Sequence, residues 1–163
     1  MGAAQTSPTQ SRPTRWITRE KPKIDRIACP WLVARFVDPA AEFIFVPADQ
    51  VLAEAERQDA TPFDIPGVAF SHDGELCSFD AFITHYDLKD AALDRLALIV
   101  RGADTGQLDL APECAGLLAV SLGISASAKT DAEALALGFP VYDALYAWAR
   151  DAGGETHGWP PKP

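Results

Sequence analysis

Apolar residues fall in short runs along this chain, and their spacing alternates between strand-like and helix-like. Residues 15–18 (Arg-Trp-Ile-Thr) and 43–46 (Phe-Ile-Phe-Val) read as short strands. Between them Ile24, Ile27, Trp31, Leu32 and Phe36 recur at helical spacing. Pro22 suits the start of that helix. Pro30 does not suit its interior, because it removes a hydrogen bond and crowds the carbonyl of Arg26, so a kink or break is expected near Cys29. Asp49 is placed to cap a helix running to about Arg57, and residues 61–67 are irregular. Ser78 is placed to cap the next helix. Further helices are predicted from Asp90 to about Arg101 with Gly102 as C-cap, from Pro112 to Gly123, after a capping box at Thr130, and from Pro140. The fold class expected is α+β: a single domain of six or seven helices around a small, largely antiparallel sheet. Residues 1–14, rich in Ser, Thr, Pro and Gln, read as a disordered leader, 15–150 as the domain, and 151–163 as a flexible tail.

The stretch V-A-F-S-H-D-G-E-L-C at 68–77 carries the most chemistry. Asp73-Gly74 between two apolar runs predicts a type I′ hairpin, which needs positive φ at both central residues. That register sets His72 opposite Glu75 and Phe70 opposite Cys77, all on one face. An imidazole, a carboxylate and a thiol then lie within about 4.5–8 Å of one another at Cβ. They form half of a metal or acid/base site, or else an exposed hairpin tip whose His72–Glu75 pair contributes little. On the first helix Asp25 shares a face with Cys29. Asp25 and its neighbour Arg26 point apart and each require a partner. Asp104 follows Arg-Gly-Ala at a helix end, where site residues are often carried.

The net charge of −9 is unevenly spread. Residues 1–37 hold seven of the fourteen Lys and Arg against two acidic groups, a balance of +5, and the remainder carries −14. So acidic a body lacks the clustered cations that bind phosphate backbones, and direct nucleic-acid binding by this chain is not expected. The basic front suits a small anion, or neutralises the body. Three scattered cysteines match neither a disulfide framework nor a zinc signature and fit a reducing, cytoplasmic location. There is no apolar stretch of membrane-spanning length, and no nucleotide or flavin fingerprint.

Three stretches together resemble a known family: K-P-K-I-D-R-I-A-C-P-W-L-V-A-R-F-V-D-P, F-S-H-D-G-E-L-C-S-F-D, and L-A-L-I-V-R-G-A-D with V-Y-D-A-L-Y-A-W. They are similar to the C-terminal domain of the chromate-resistance protein ChrB family, over roughly 16–150. The resemblance implies a role in chromate response, in which full-length proteins act as regulators with an additional N-terminal domain. Chromate is a dianion, so its site should present Arg or Lys. Arg26, Arg35, Arg101 and Lys23 are the candidates, with Arg26 and Arg101 favoured. A metal site would draw on His72, Glu75, Asp25 and Asp104, a mixed N/O set suited to zinc, iron or manganese, with Cys77 as a possible thiol ligand favouring zinc. Three readings follow: a metal- or oxyanion-binding sensory module in a stress response, a metal-dependent enzyme on a small anionic substrate, or a protein-interaction module with a structural polar cluster.

Overall fold

The computed structural model describes residues 11–161; the expected leader and tail fall partly outside them. The element order begins with β1 (Arg15–Arg19), α1 (Asp25–Phe36), β2 (Glu42–Val46), α2 (Val51–Gln58, entered through a 3-10 turn) and β3 (Thr61–Pro62). Four helices follow: α3 (Ser78–His85), α4 (Ala91–Thr105), α5 (Cys114–Ser127) and α6 (Asp131–Ala147), the last running into a π turn. The α+β class holds, with six α-helices among the described residues.

The three strands form one sheet in the order β2-β1-β3, and both pairings are parallel. The expected antiparallel arrangement is therefore corrected. Each pair of successive strands is joined by a helix, and a helical crossover returns the chain to the same end of the sheet. The signal was the strand–helix–strand–helix–strand alternation itself. Central β1 is covered on both faces. Trp16 belongs to the main core with Phe70 and Phe82, while Ile17 packs with Val51 and Ala55 of α2 and with Ile65.

The hairpin at 68–77 does not form. Phe70 instead bridges Phe63 in parallel, with the Asp64 amide donating to the Phe70 carbonyl at 2.8 Å. Its ring lies tilted against that of Phe82, with centroids 4.5 Å apart. Burying Phe70 there draws the first apolar run toward β3 and away from the second. The second run is not a strand at all, because Cys77 is the N-cap of α3. What remains is a tight turn around Gly74-Glu75, closed by reciprocal Asp73–Leu76 hydrogen bonds of 3.0 Å. The turn sits one residue later than expected. Gly74 has φ 58, and Asp73 is not among the residues of positive φ.

Several boundaries also move. α1 starts at Asp25 and runs through Pro30 without a break. α4 continues past Gly102 to Thr105, and Gly106 at φ 73 provides the left-handed cap. Gly102 serves a different purpose: a Cβ there would lie 2.3 Å from the Cys114 sulfur, so its hydrogen lets α5 close on α4. The helices expected at Thr130 and Pro140 are one, α6, in which the Thr130 hydroxyl accepts the Glu133 amide at 3.1 Å.

Candidate metal centre

Asp25 opens α1 directly after β1, and Asp64 lies two residues beyond β3. Both therefore stand at the carboxyl ends of adjacent parallel strands. From central β1 the chain leaves toward β2 on one side, and β3 lies on the other. Such a switch point leaves a crevice in which ligands of open α/β sheets bind. His72 reaches this crevice from the 63–77 loop, and Asp104 from the last turn of α4.

The four side chains meet at one atom. His72 Nε2 lies 3.0 Å from Asp104 Oδ2, 3.3 Å from Asp64 Oδ1 and 3.5 Å from Asp25 Oδ2. Asp25, His72 and Asp104 each offer a ligand atom within 4.8 Å of the others. Asp25 is fully buried, and the His72 side chain is 40% exposed. The set combines a buried floor with an open side.

Backbone amides hold the floor. Asp25 accepts from the amides of Ser78 and Phe79 at 2.7 and 3.0 Å, so a carboxylate from α1 satisfies the N-terminus of α3. The Ser78 hydroxyl, expected as a cap, instead donates to Asp64 Oδ1 at 2.8 Å. Ser78 thus bridges two of the carboxylates. Ile24, just before Asp25, has φ 41 and ψ −98, an outlier for a β-branched residue. Its carbonyl accepts the Tyr142 hydroxyl at 3.1 Å, which ties the strained turn to α6.

Burial, hydrogen bonding and the neighbouring charges together set the proton affinities. A hydrogen bond to Asp25 and the neighbouring carboxylates push His72 up to about 9. Burial, then the charges of Asp25 and Asp64, push Asp104 up to about 7. Burial and Asp25 raise Asp64, opposed by Ser78, Arg19 and His72. Two guanidinium groups lean on Asp64: Arg19 donates to it at 3.1 Å and Arg26 Nε lies 3.5 Å away. Among the described residues, Asp25 and Asp104 therefore face His72 without a cation of their own.

Of the residues expected at a metal, His72, Asp25 and Asp104 converge. Glu75 occupies the exposed turn, because the one-residue shift breaks its opposition to His72. Cys77 is buried with its thiol 3.3 Å from Asp80, and burial raises its pKa strongly, so it keeps its proton. Arg101 is held bidentate by Asp80 at 3.0 and 2.7 Å. Arg26 also donates to the carbonyls of Arg19 and Glu20, at 2.9 and 2.8 Å. Arg35, expected as a weaker anion candidate, pairs with Asp143. Asp64 and Ser78 lie outside the expected set. Asp64 falls in a stretch without periodicity, and only its tolerance of the left-handed conformation, φ 53 here, hints at a special position.

One imidazole and two carboxylates, a third carboxylate adjoining and one side open, fit a divalent transition ion with free coordination positions. The fold and this cluster define an α+β domain with a carboxylate–histidine centre at the mouth of a parallel sheet. Residues 16–149 match the family described as ChrB, C-terminal domain, and the chain belongs to that family. Protein ChrB of Cupriavidus metallidurans is 35% identical over 143 residues, covering 85% of this chain and 42% of that protein. The chain thus spans less than half the length of that relative. No solved structure matches the chain. No helix among the described residues is long and apolar enough to cross a membrane.

Proposed function

We propose that this chain is a metal-binding sensory module of a chromate-response system. The observation that carries the proposal is the meeting of Asp25, Asp64 and Asp104 at His72 Nε2. Buried carboxylates gathered around one imidazole raise one another's proton affinity, and a divalent cation relieves that repulsion more fully than a proton does. In this reading Asp25, His72 and Asp104 bind zinc, iron or manganese, and the open side admits an oxyanion. Occupancy draws the 63–77 loop onto the ends of α1 and α4, and that change of shape is the signal. Asp64 stays paired with Arg19 and Arg26 and borders the open side.

A second reading, a metal-dependent enzyme on a small anionic substrate, is favoured by one feature. A cavity of about 430 Å³ lies beside the cluster, lined by Arg19, Asp64, Gly67, Ser71 and His72 among others. Its size suits a small molecule, and Arg19 would orient a negative group.

Elemental analysis of protein purified without added metal, compared with His72→Ala, tests the common core of both readings. About one equivalent of transition metal, lost on mutation, is the expected result. Absence of metal from both proteins after reconstitution with zinc, iron and manganese would sink the metal centre. Chromate shifting the hydrogen exchange of the 63–77 loop without turnover favours the sensor, and metal-dependent turnover favours the enzyme.

A further inference from the structure

Asp64 is the member of the cluster that faces two ways, because the two oxygens of its buried carboxylate have different partners. Oδ1 accepts the Ser78 hydroxyl at 2.8 Å and lies 3.3 Å from His72 Nε2. Oδ2 accepts from Arg19 Nη2 at 3.1 Å and lies 3.5 Å from Arg26 Nε. One carboxylate thus joins the metal centre to a pair of guanidinium groups. Asp25 is attached differently. Its oxygens are held by the Ser78 and Phe79 amides of α3, which cannot leave them for a small ligand.

The guanidinium pair is under-used as the structure stands. Arg19 and Arg26 share the single oxygen Oδ2, so together they keep a positive excess beside it. Arg26 is fixed in place, with Nη1 donating to the carbonyls of Arg19 and Glu20 at 2.9 and 2.8 Å. The Arg19 side chain is partly exposed, yet its Nε is shut off from solvent and has no partner among the described residues. A buried donor left in this state calls for an acceptor. Arg19, Asp64, Ser71 and His72 all line the cavity of about 430 Å³. An anion in that cavity meets the arginines and the cluster at once.

We propose that Asp64 is a switch ligand, held away from the metal by Arg19 and Arg26 until an oxyanion in the cavity takes those arginines and releases it. The inference rests on the metal-centre reading above and supplies the regulation of that site. A tetrahedral oxyanion offers the two guanidinium groups several acceptor oxygens in place of the one they share, and such charge-assisted contacts are strong. The freed carboxylate then adds its charge to an ion already bound by Asp25, His72 and Asp104. No backbone movement is required. The Asp64 amide stays on the Phe70 carbonyl at 2.8 Å, and Oδ1 already borders the cluster. Metal and anion therefore tighten each other's binding, because coupling between two binding equilibria is reciprocal.

Calorimetry of the full chain with manganese(II) and sulfate, at fixed ionic strength, tests this. In wild type, saturating sulfate is expected to tighten manganese binding about tenfold, and manganese to tighten sulfate binding by the same factor. Asp64→Asn, with its fold checked by circular dichroism, should bind sulfate more tightly than wild type when metal-free, since its arginines are no longer held by a charge. Its manganese affinity should change no more than about twofold with sulfate. Arg19→Gln provides a second arm: manganese should bind it more tightly than wild type without sulfate, and sulfate should add little. A tenfold coupling that persists in Asp64→Asn overturns the proposal, because plain attraction between ion and anion then accounts for it. So does wild type whose manganese affinity ignores sulfate, a result that leaves the metal centre standing. Wild type that binds neither manganese, zinc nor iron removes the metal centre and this inference together.

Discussion

Asp104 is the residue at which the conflict between stability and site chemistry is sharpest. Its carboxyl rises from 3.8 in the unfolded chain to about 7 when folded. The folded state therefore holds its proton more tightly, and the associated stability is lost as pH climbs through about 7. His72 rises from 6.5 to about 9, so its contribution is complete below about pH 6.5 and is lost as pH climbs through about 9. Both groups act in the same direction. Metal-free protein is expected to lose stability between about pH 4 and pH 9 through these two groups, and saturating metal should restore it at the alkaline end. Thermal melts with and without chelator check this. An imidazole titration of His72 by NMR near the free-histidine value would contradict the cluster geometry. Asp104→Asn removes the charge that burial opposes, so at pH 8 the metal-free variant should melt higher than wild type while binding metal at least tenfold more weakly. A variant that melts lower under chelation would show that Asp104 stabilises the fold.

Among the elements, α3 and α4 decide how well the cluster is held. The N-terminus of α3 is closed by Asp25 from another helix, and Asp80 in its first turn accepts the Cys77 amide at 3.0 Å and holds Arg101 of α4. The last turn of α4, which carries Asp104, is set by how closely α5 packs at Gly102. Gly102→Ala would press a methyl onto Cys114 and onto the Gln107 carbonyl, whose oxygen would lie 2.8 Å from the added carbon. Overpacking of this kind costs about 1–3 kcal/mol, against a helix-propensity gain of about 1 kcal/mol. A net fall in melting temperature is expected, together with weaker metal binding as Asp104 moves. A rise would mean that α5 yields freely. Within these elements much was legible from local signals, because caps and periodicity depend on near neighbours. Asp90 caps α4 as its position predicts, accepting from the Ala92 and Leu93 amides. The shared face of Asp25 and Cys29 also follows from helical spacing, and the thiol lies 3.4 Å from the carboxylate. The hairpin expectation fails for the converse reason. Asp-Gly is a local signal, and it is overruled by the burial of Phe70 against Trp16 and Phe82, residues remote in sequence.

Across the whole molecule, α6 is the brace that connects the site to the far end of the chain. Trp31 and Arg35 of α1 both donate to Asp143, and the Tyr142 hydroxyl holds the strained Ile24 carbonyl. Tyr142→Phe removes that last bond while keeping the ring, and a loss of about 1–2 kcal/mol is expected. If the brace also positions Asp25, metal affinity falls with it although Tyr142 touches no ligand. Equal affinity in the two proteins, measured by calorimetry, would confine Tyr142 to a structural part. The chain by itself determined its helical content, its α+β class, its family and three members of the cluster, because composition, periodicity and motif spacing are properties of neighbouring residues. Only the tertiary structure decided that the sheet is parallel, that Asp64 and Ser78 join the site, and that Glu75, Cys77 and Arg101 stand apart from it. Those outcomes depend on which distant apolar surfaces are buried together, and burial of that kind is settled by the whole core at once.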